Sequence, residues 1–196
     1  MTNENIEINH KPTKTLMGQI GSVTLTHFLC VLIEFILGIM VLGATSKYPV
    51  MNVIATALMI LIYVWVMFIR GYEMADYDHK PYHYIKGYPW KGIVLALGLN
   101  VLTVVFFVLF LTPWLSSFVN GDLKPLMMLI ENVPFVLWTF PFNTILQISE
   151  SGVSVLGAVI AVAVPELAAG IGYYMGYKKI DVGKGMSKFI YEKKKK

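Results

Sequence analysis

Charge is what this sequence has least of. Only 14% of its 196 residues are Asp, Glu, Lys or Arg, where a soluble domain carries about 25%. Too little polar surface is available to cover a globule in water, and a soluble fold is excluded on that ground. Cysteine is nearly absent. Cys30 stands alone in an apolar run, so one chain can build neither a disulfide framework nor a cysteine-based metal site. The residue is expected to act as a small hydrophobe against a neighbouring helix. There is no G-x-x-x-x-G-K-[ST] phosphate loop, no H-E-x-x-H and no G-x-S-x-G elbow. Internal repeats of the kind that build inverted-repeat transporters are missing too. Enzyme chemistry would therefore have to come from isolated polar residues. The opening MTNENIEINHKPTKTL is polar and nearly neutral, without the compact basic region and A-x-A-like site of a cleaved leader. The first apolar segment is expected to stay, as both signal and anchor.

What is present is hydrocarbon. Hydrophobic residues make up 56% of the chain and the mean hydropathy is +0.63. Four stretches are apolar for the ~20 residues a bilayer crossing needs: about 17–44, 50–69, 93–119 and 153–177. Between the second and third lies GYEMADYDHKPYHYIKGYPWKG, a loop over 70–92 thick with Tyr and Trp, the residue types of an interfacial belt. The stretch 120–151 is apolar but interrupted by Glu131, Asn132, Pro134, Pro141 and Asn143. Its clean pieces are too short to cross alone.

Basic residues decide how these pieces are counted, because cytoplasmic flanks collect Lys and Arg. Two precede the first span, four lie in the 70–92 loop and eight in the 178–196 tail, with one each at Lys47 and Lys124. Four spans, with 120–151 returning to the side it left, place fourteen of the sixteen on one side. Five spans place fewer there in either orientation. The expected fold is therefore an all-α membrane bundle, a single domain of four transmembrane helices plus a broken re-entrant or interfacial outer segment, with both termini cytoplasmic. Five spans is the alternative. Irregular backbone at 120–151 suits the re-entrant role, because it survives at depth only against protein or water.

The runs KGYPWKGIVLALG, VPELAAGIGYYMGYKKI and MSKFIYEKKKK resemble a loose group of small multi-pass membrane proteins of Gram-positive bacteria of the clostridial and bacillar type. The resemblance covers roughly the second half of the chain. It implies a multi-pass topology in a bacterial plasma membrane and carries no activity, cofactor or site residue with it.

Candidate chemistry lies where charge meets apolar sequence. Glu34 and Glu166 fall near the middle of the first and last spans, and charge at the bilayer centre costs about 2.5–3.5 kcal/mol on insertion scales. Two such carboxyls could bind a cation, carry a proton or receive a basic ligand group, or else bond neighbouring helices. His27 lies two turns before Glu34 and Thr24 one turn earlier still, a stripe on one helix face. Asn100 is expected to join the same network. Pro165 leaves a carbonyl one turn back without its amide donor, beside Glu166, which reads as a ligand site or a kink. Asp76, Asp78, His79 and His83 form D-x-D-H-x3-H. They are acceptable metal ligands, but Pro81 argues against the helix that would align the two histidines, and a solvated loop is the preferred reading. Ala168, Gly172 and Gly176 recur every four residues, a spacing that lets helices approach closely. That approach is read as packing inside the bundle ahead of a homodimer seam.

The leading expectation is a non-enzymatic accessory or ligand-binding subunit of a larger membrane assembly. The alternative is a small transporter or channel-like protein coupling protons or cations through Glu34 and Glu166. A third reading, a lipid-directed enzyme using His27 and Glu34 as acid and base, ranks below both. No cofactor is specified. The expected partners are the bilayer, anionic headgroups at the lysine-rich tail and the 70–92 loop, and a membrane-protein partner or a second copy of the chain. Nucleic acid is not among them, since the lysines sit at span ends.

Overall fold

The computed structural model describes residues 15–45, 47–80, 86–111, 117–118, 123–146 and 154–180. Four long helices dominate: α1 (Leu16–Thr45), α2 (Pro49–Asp78), α3 (Lys91–Leu111) and, after a broken segment, α6 (Val155–Tyr177). Each is long and apolar enough to cross a membrane. The broken segment consists of α4 (Lys124–Trp138), a 3₁₀ turn at Phe140–Phe142 and the single turn α5 (Asn143–Leu146). No strand occurs among the described residues. The outer faces carry Leu25, Ile33, Ile36, Leu61, Val101 and Ile171, all about half exposed. Aliphatic surface of that extent is stable against lipid and not against water.

The helices form a ring in which α1 and α6 sit diagonally, each flanked by α2 and α3. The starts of α1 and α3 and the ends of α2 and α6 share one end of the bundle, as the contacts of Gln19, Asp78, Lys91 and Tyr173 show. Glycine sets the α2–α6 distance. A Cβ on Gly172 would collide with the Phe68 carbonyl oxygen, and one on Gly71 with that of Ala169. With Ala168 and Gly176 also buried, the small-residue face of α6 lies against α2 inside the bundle.

One boundary departs from the sequence reading. The 70–92 stretch is not a loop from its start, because α2 continues through Arg70 to Asp78. The charge at Arg70 does not end the helix: its guanidinium pairs with Glu73 one turn on at 2.8 Å and donates to the Ser22 hydroxyl of α1. Gly71, Met74 and Ala75 are buried beyond it.

α4 has 15 residues, about 22 Å at 1.5 Å per residue, short of the ~30 Å hydrocarbon core. It runs back along α3, packing the Phe135 ring at a tilt against Phe107 and Phe110. It stops at Trp138, against the middle of α1 and α3. The chain then turns through Phe142 and Leu146, 1% and 0% exposed. Leu146 accepts the Ser154 amide at 2.8 Å, and the Ser154 side chain caps α6 by accepting from Gly157.

Candidate functional site

Where α4 ends, its last carbonyls lie at membrane depth and need donors. Histidine supplies one. His27 Nε2 lies 3.2 Å from the Trp138 carbonyl oxygen. A carbonyl only accepts, so that nitrogen carries the proton, and in the neutral imidazole Nδ1 accepts from the Tyr63 hydroxyl at 2.6 Å. The Trp138 indole donates to Thr103 Oγ1 at 2.9 Å. The Thr139 hydroxyl lies 2.8 Å from the Phe135 carbonyl, and the Asn143 amide donates to the Val136 carbonyl at 2.9 Å. Trp138 thus joins α4 to α1 and α3, and through His27 the network reaches Tyr63 of α2. Of this network the sequence pointed to His27 alone. Tyr63, Thr103 and Trp138 are common residues in apolar helices and carry no spacing signal.

Beside it lies a cavity of about 470 Å³ bounded by α3, α4, α5 and α6. Phe107, Phe135, Leu146, Val159 and Val162 form its apolar wall, and Thr103, Thr139 and Glu166 are its polar groups. Asn100 donates its side-chain amide to Glu166 Oε1, so two of the sequence candidates meet. Ala161, whose carbonyl lost its amide donor to Pro165, lines the same cavity. Pockets for small ligands typically measure ~300–1,000 Å³, mostly apolar with a few placed polar groups.

Glu34 lies elsewhere. It is 4% exposed, lines a crevice of about 280 Å³ between α1 and α2, and its Oε1 lies 3.7 Å from the Cys30 sulfur that donates to it. Thr24 is half-buried on the same helix. The Thr24, His27 and Glu34 stripe does not act as one path: His27 turns to Tyr63 and Trp138, Glu34 to Cys30. Nor do Glu34 and Glu166 share a chamber, since one is walled by α1 and α2 and the other by α3 to α6.

At the shared end of the bundle a second polar cluster appears. Asp78 Oδ2 accepts from Lys91 Nζ at 2.5 Å and from the Tyr173 hydroxyl at 2.6 Å. Its Oδ1 accepts from Gln19 Nε2 at 2.7 Å. The side chains of Lys91 and Asp78 are 0% and 1% exposed. The carboxylate considered as a metal ligand is thus engaged on both oxygens. Asp76 is exposed, His79 lies at the end of α2 with Nδ1 2.8 Å from the Ala75 carbonyl, and His83 is outside the described residues. Among the described residues no three His, Cys, Asp or Glu side chains gather to hold a metal. Lys91 was counted as a loop charge; only the fold shows it meeting Asp78, thirteen positions away.

The fold therefore presents a multi-pass helical membrane protein whose described residues include an apolar chamber at Glu166, a carboxylate crevice at Glu34 and an ionic cluster at Asp78. No family model, no curated protein and no solved structure matches the chain.

Proposed function

We propose that this protein is a membrane-embedded binding protein for a small, largely apolar molecule bearing a hydrogen-bond donor, serving as a ligand-binding subunit of a larger assembly. The observation that carries this reading is the chamber of about 470 Å³ in which Glu166, oriented by Asn100, stands among aromatic and aliphatic walls. Its polar lining favours acceptance: the Ala161 carbonyl has lost its helical donor, the Glu166 carboxylate has lone pairs beyond the one that takes the Asn100 amide, and the walls suit an apolar body. A relay through both glutamates has less support, because they open into separate spaces. The common end shared by the start of α1 and the end of α6 fits both termini lying on the lysine-rich side, which the positive-inside bias assigns to the cytoplasm of a bacterial plasma membrane.

Affinity purification from native membranes in mild detergent, with mass spectrometry of the peak, tests it. The expected result is a donor-bearing apolar molecule near one per chain, together with a protein partner. That molecule is lost from Glu166→Gln and from the chamber-filling Ala158→Phe. A peak holding only bulk phospholipid in the proportions of the surrounding membrane overturns the reading.

A further inference from the structure

The crevice at Glu34 is chemically lopsided. With Glu34 ionised, none of the crevice's polar side chains has a proton to spare. Thr26 lines it, but the Thr26 proton is engaged by the Ser22 carbonyl at 2.9 Å. The Cys30 thiol proton is directed at Glu34 Oε1. Glu34 Oε2 is buried without a hydrogen-bond partner. A buried acceptor at membrane depth with no donor is costly, and on an otherwise apolar crevice wall it is an acceptor that a ligand donor can satisfy.

The remaining walls are Leu29, Ile33 and Leu37 of α1 and Met59, Ile62 and Val66 of α2. Leu29, Ile33, Leu37 and Ile62 are about half exposed on the outer surface of the helix pair, so the crevice is entered from the bilayer. Its volume of about 280 Å³ lies at the small end of ligand pockets. One carboxylate, one hydroxyl and one thiol are too few for an alkaline-earth ion, which takes six or more oxygens, and form no tetrahedral set for zinc. A cationic donor meets both needs at once: it occupies the free lone pairs of Oε2, and its charge offsets the carboxylate in a charge-assisted bond.

We propose that the α1–α2 crevice at Glu34 is a second binding site, separate from the Glu166 chamber, for a protonated amine carried on a small apolar body. The amine belongs to a free hydrophobic molecule or to a lipid headgroup; the chemistry at Glu34 is the same.

The test uses the full-length protein in phosphatidylcholine nanodiscs and a hydrophobic carbodiimide, which modifies carboxyls in apolar surroundings; the adduct on Glu34 is followed by peptide mass spectrometry. The ligand probe is N,N-dimethyloctylamine, a tertiary amine that cannot be acylated to an amide. Added at ten times its Kd it should slow Glu34 modification about tenfold, as simple occupancy requires. The branched alkane of the same shape should leave the rate within about twofold. The same amine should raise the Tm of the wild type and of Glu166→Gln, and leave the Tm of Glu34→Gln unmoved. In a second arm, phosphatidyl-N,N-dimethylethanolamine, whose headgroup amine cannot be acylated to an amide either, replaces part of the bilayer. Protection there without added amine assigns the ammonium to a headgroup, and its absence alongside protection by the free amine assigns it to a small molecule. Equal slowing by amine and alkane, or none by the amine or by the dimethylethanolamine lipid, overturns the proposal. The labelling arm uses the wild-type chain, so the outcome does not depend on whether Glu34→Gln folds.

Discussion

At the shared end of the bundle, the Asp78 side chain is buried with both oxygens engaged, and its three donors come from α1, α3 and α6. At mid-depth, Glu34 is buried to nearly the same degree, yet it has a thiol on one oxygen and nothing on the other. The two carboxylates differ in how completely the fold answers them. A carboxylate with both oxygens engaged fixes geometry: Asp78 ties the start of α1 and α3 to the end of α2 and α6. An unsatisfied one leaves free energy available to whatever binds. Burial of a charged residue in a membrane helix is therefore not by itself a mark of function; the state of its lone pairs separates the two cases.

Removing one member of the satisfied cluster has the largest expected effect. Lys91→Met leaves Asp78 buried without its cation, which costs about 3–5 kcal/mol, read as a lowered midpoint in denaturant titration of the detergent-solubilised protein. Lys91→Met combined with Asp78→Leu should recover most of that loss, since an apolar pair of similar volume often matches a buried ion pair. If the single variant unfolds like the wild type, the cluster is not structural and the contrast with Glu34 fails.

Glycine gives the next step down. At Gly172 a methyl group meets the Phe68 backbone, which cannot rotate away, so Gly172→Ala should cost about 1–3 kcal/mol through forced separation of α2 and α6. At Gly21, where nothing lies within 4 Å of an added Cβ, Ala should add about 0.5–1 kcal/mol through helix propensity alone. Opposite signs from the same substitution, measured by the same titration, would confirm where the bundle is tight. Smaller again is Thr103→Val. It removes the acceptor of the Trp138 indole and should cost about 0.6 kcal/mol, the average for an interhelical hydrogen bond in a membrane protein, with a shift in tryptophan emission as α4 loosens.

Much of this architecture was legible without coordinates. Apolar run length and the lysine distribution led to four spans and a returning segment, because bilayer thickness and charge bias act on local sequence. The pairing of Asn100 with Glu166 was within reach, since both are polar exceptions in apolar helices, though the direction of each side chain was not. The Asp78–Lys91–Tyr173–Gln19 cluster was illegible. Its members come from four elements and each has an ordinary local explanation: Asp and Lys in a juxtamembrane stretch, Tyr in an aromatic belt, Gln at a helix start. The reach of α2 past Arg70 was missed for a related reason, because the partners that accommodate the guanidinium, Glu73 and Ser22, become apparent only once the helices are packed.

The most discriminating comparison sets the two carboxylates side by side. Carboxylate to leucine can be made at both sites. Asp78→Leu alone strands the Lys91 ammonium at 0% exposure and should cost several kcal/mol. Glu34→Leu strands only a weak thiol donor, fills an apolar wall and removes an unpartnered oxygen. It should be neutral or stabilising by up to about 1 kcal/mol, as replacement of an imperfectly satisfied polar group by an apolar one often is. A gain in stability at Glu34, joined to loss of amine binding, is the trade expected of a residue kept for what it binds at some cost to the fold. A loss at Glu34 as large as that at Asp78 would place both carboxylates in the structural class and leave the crevice without a role in binding.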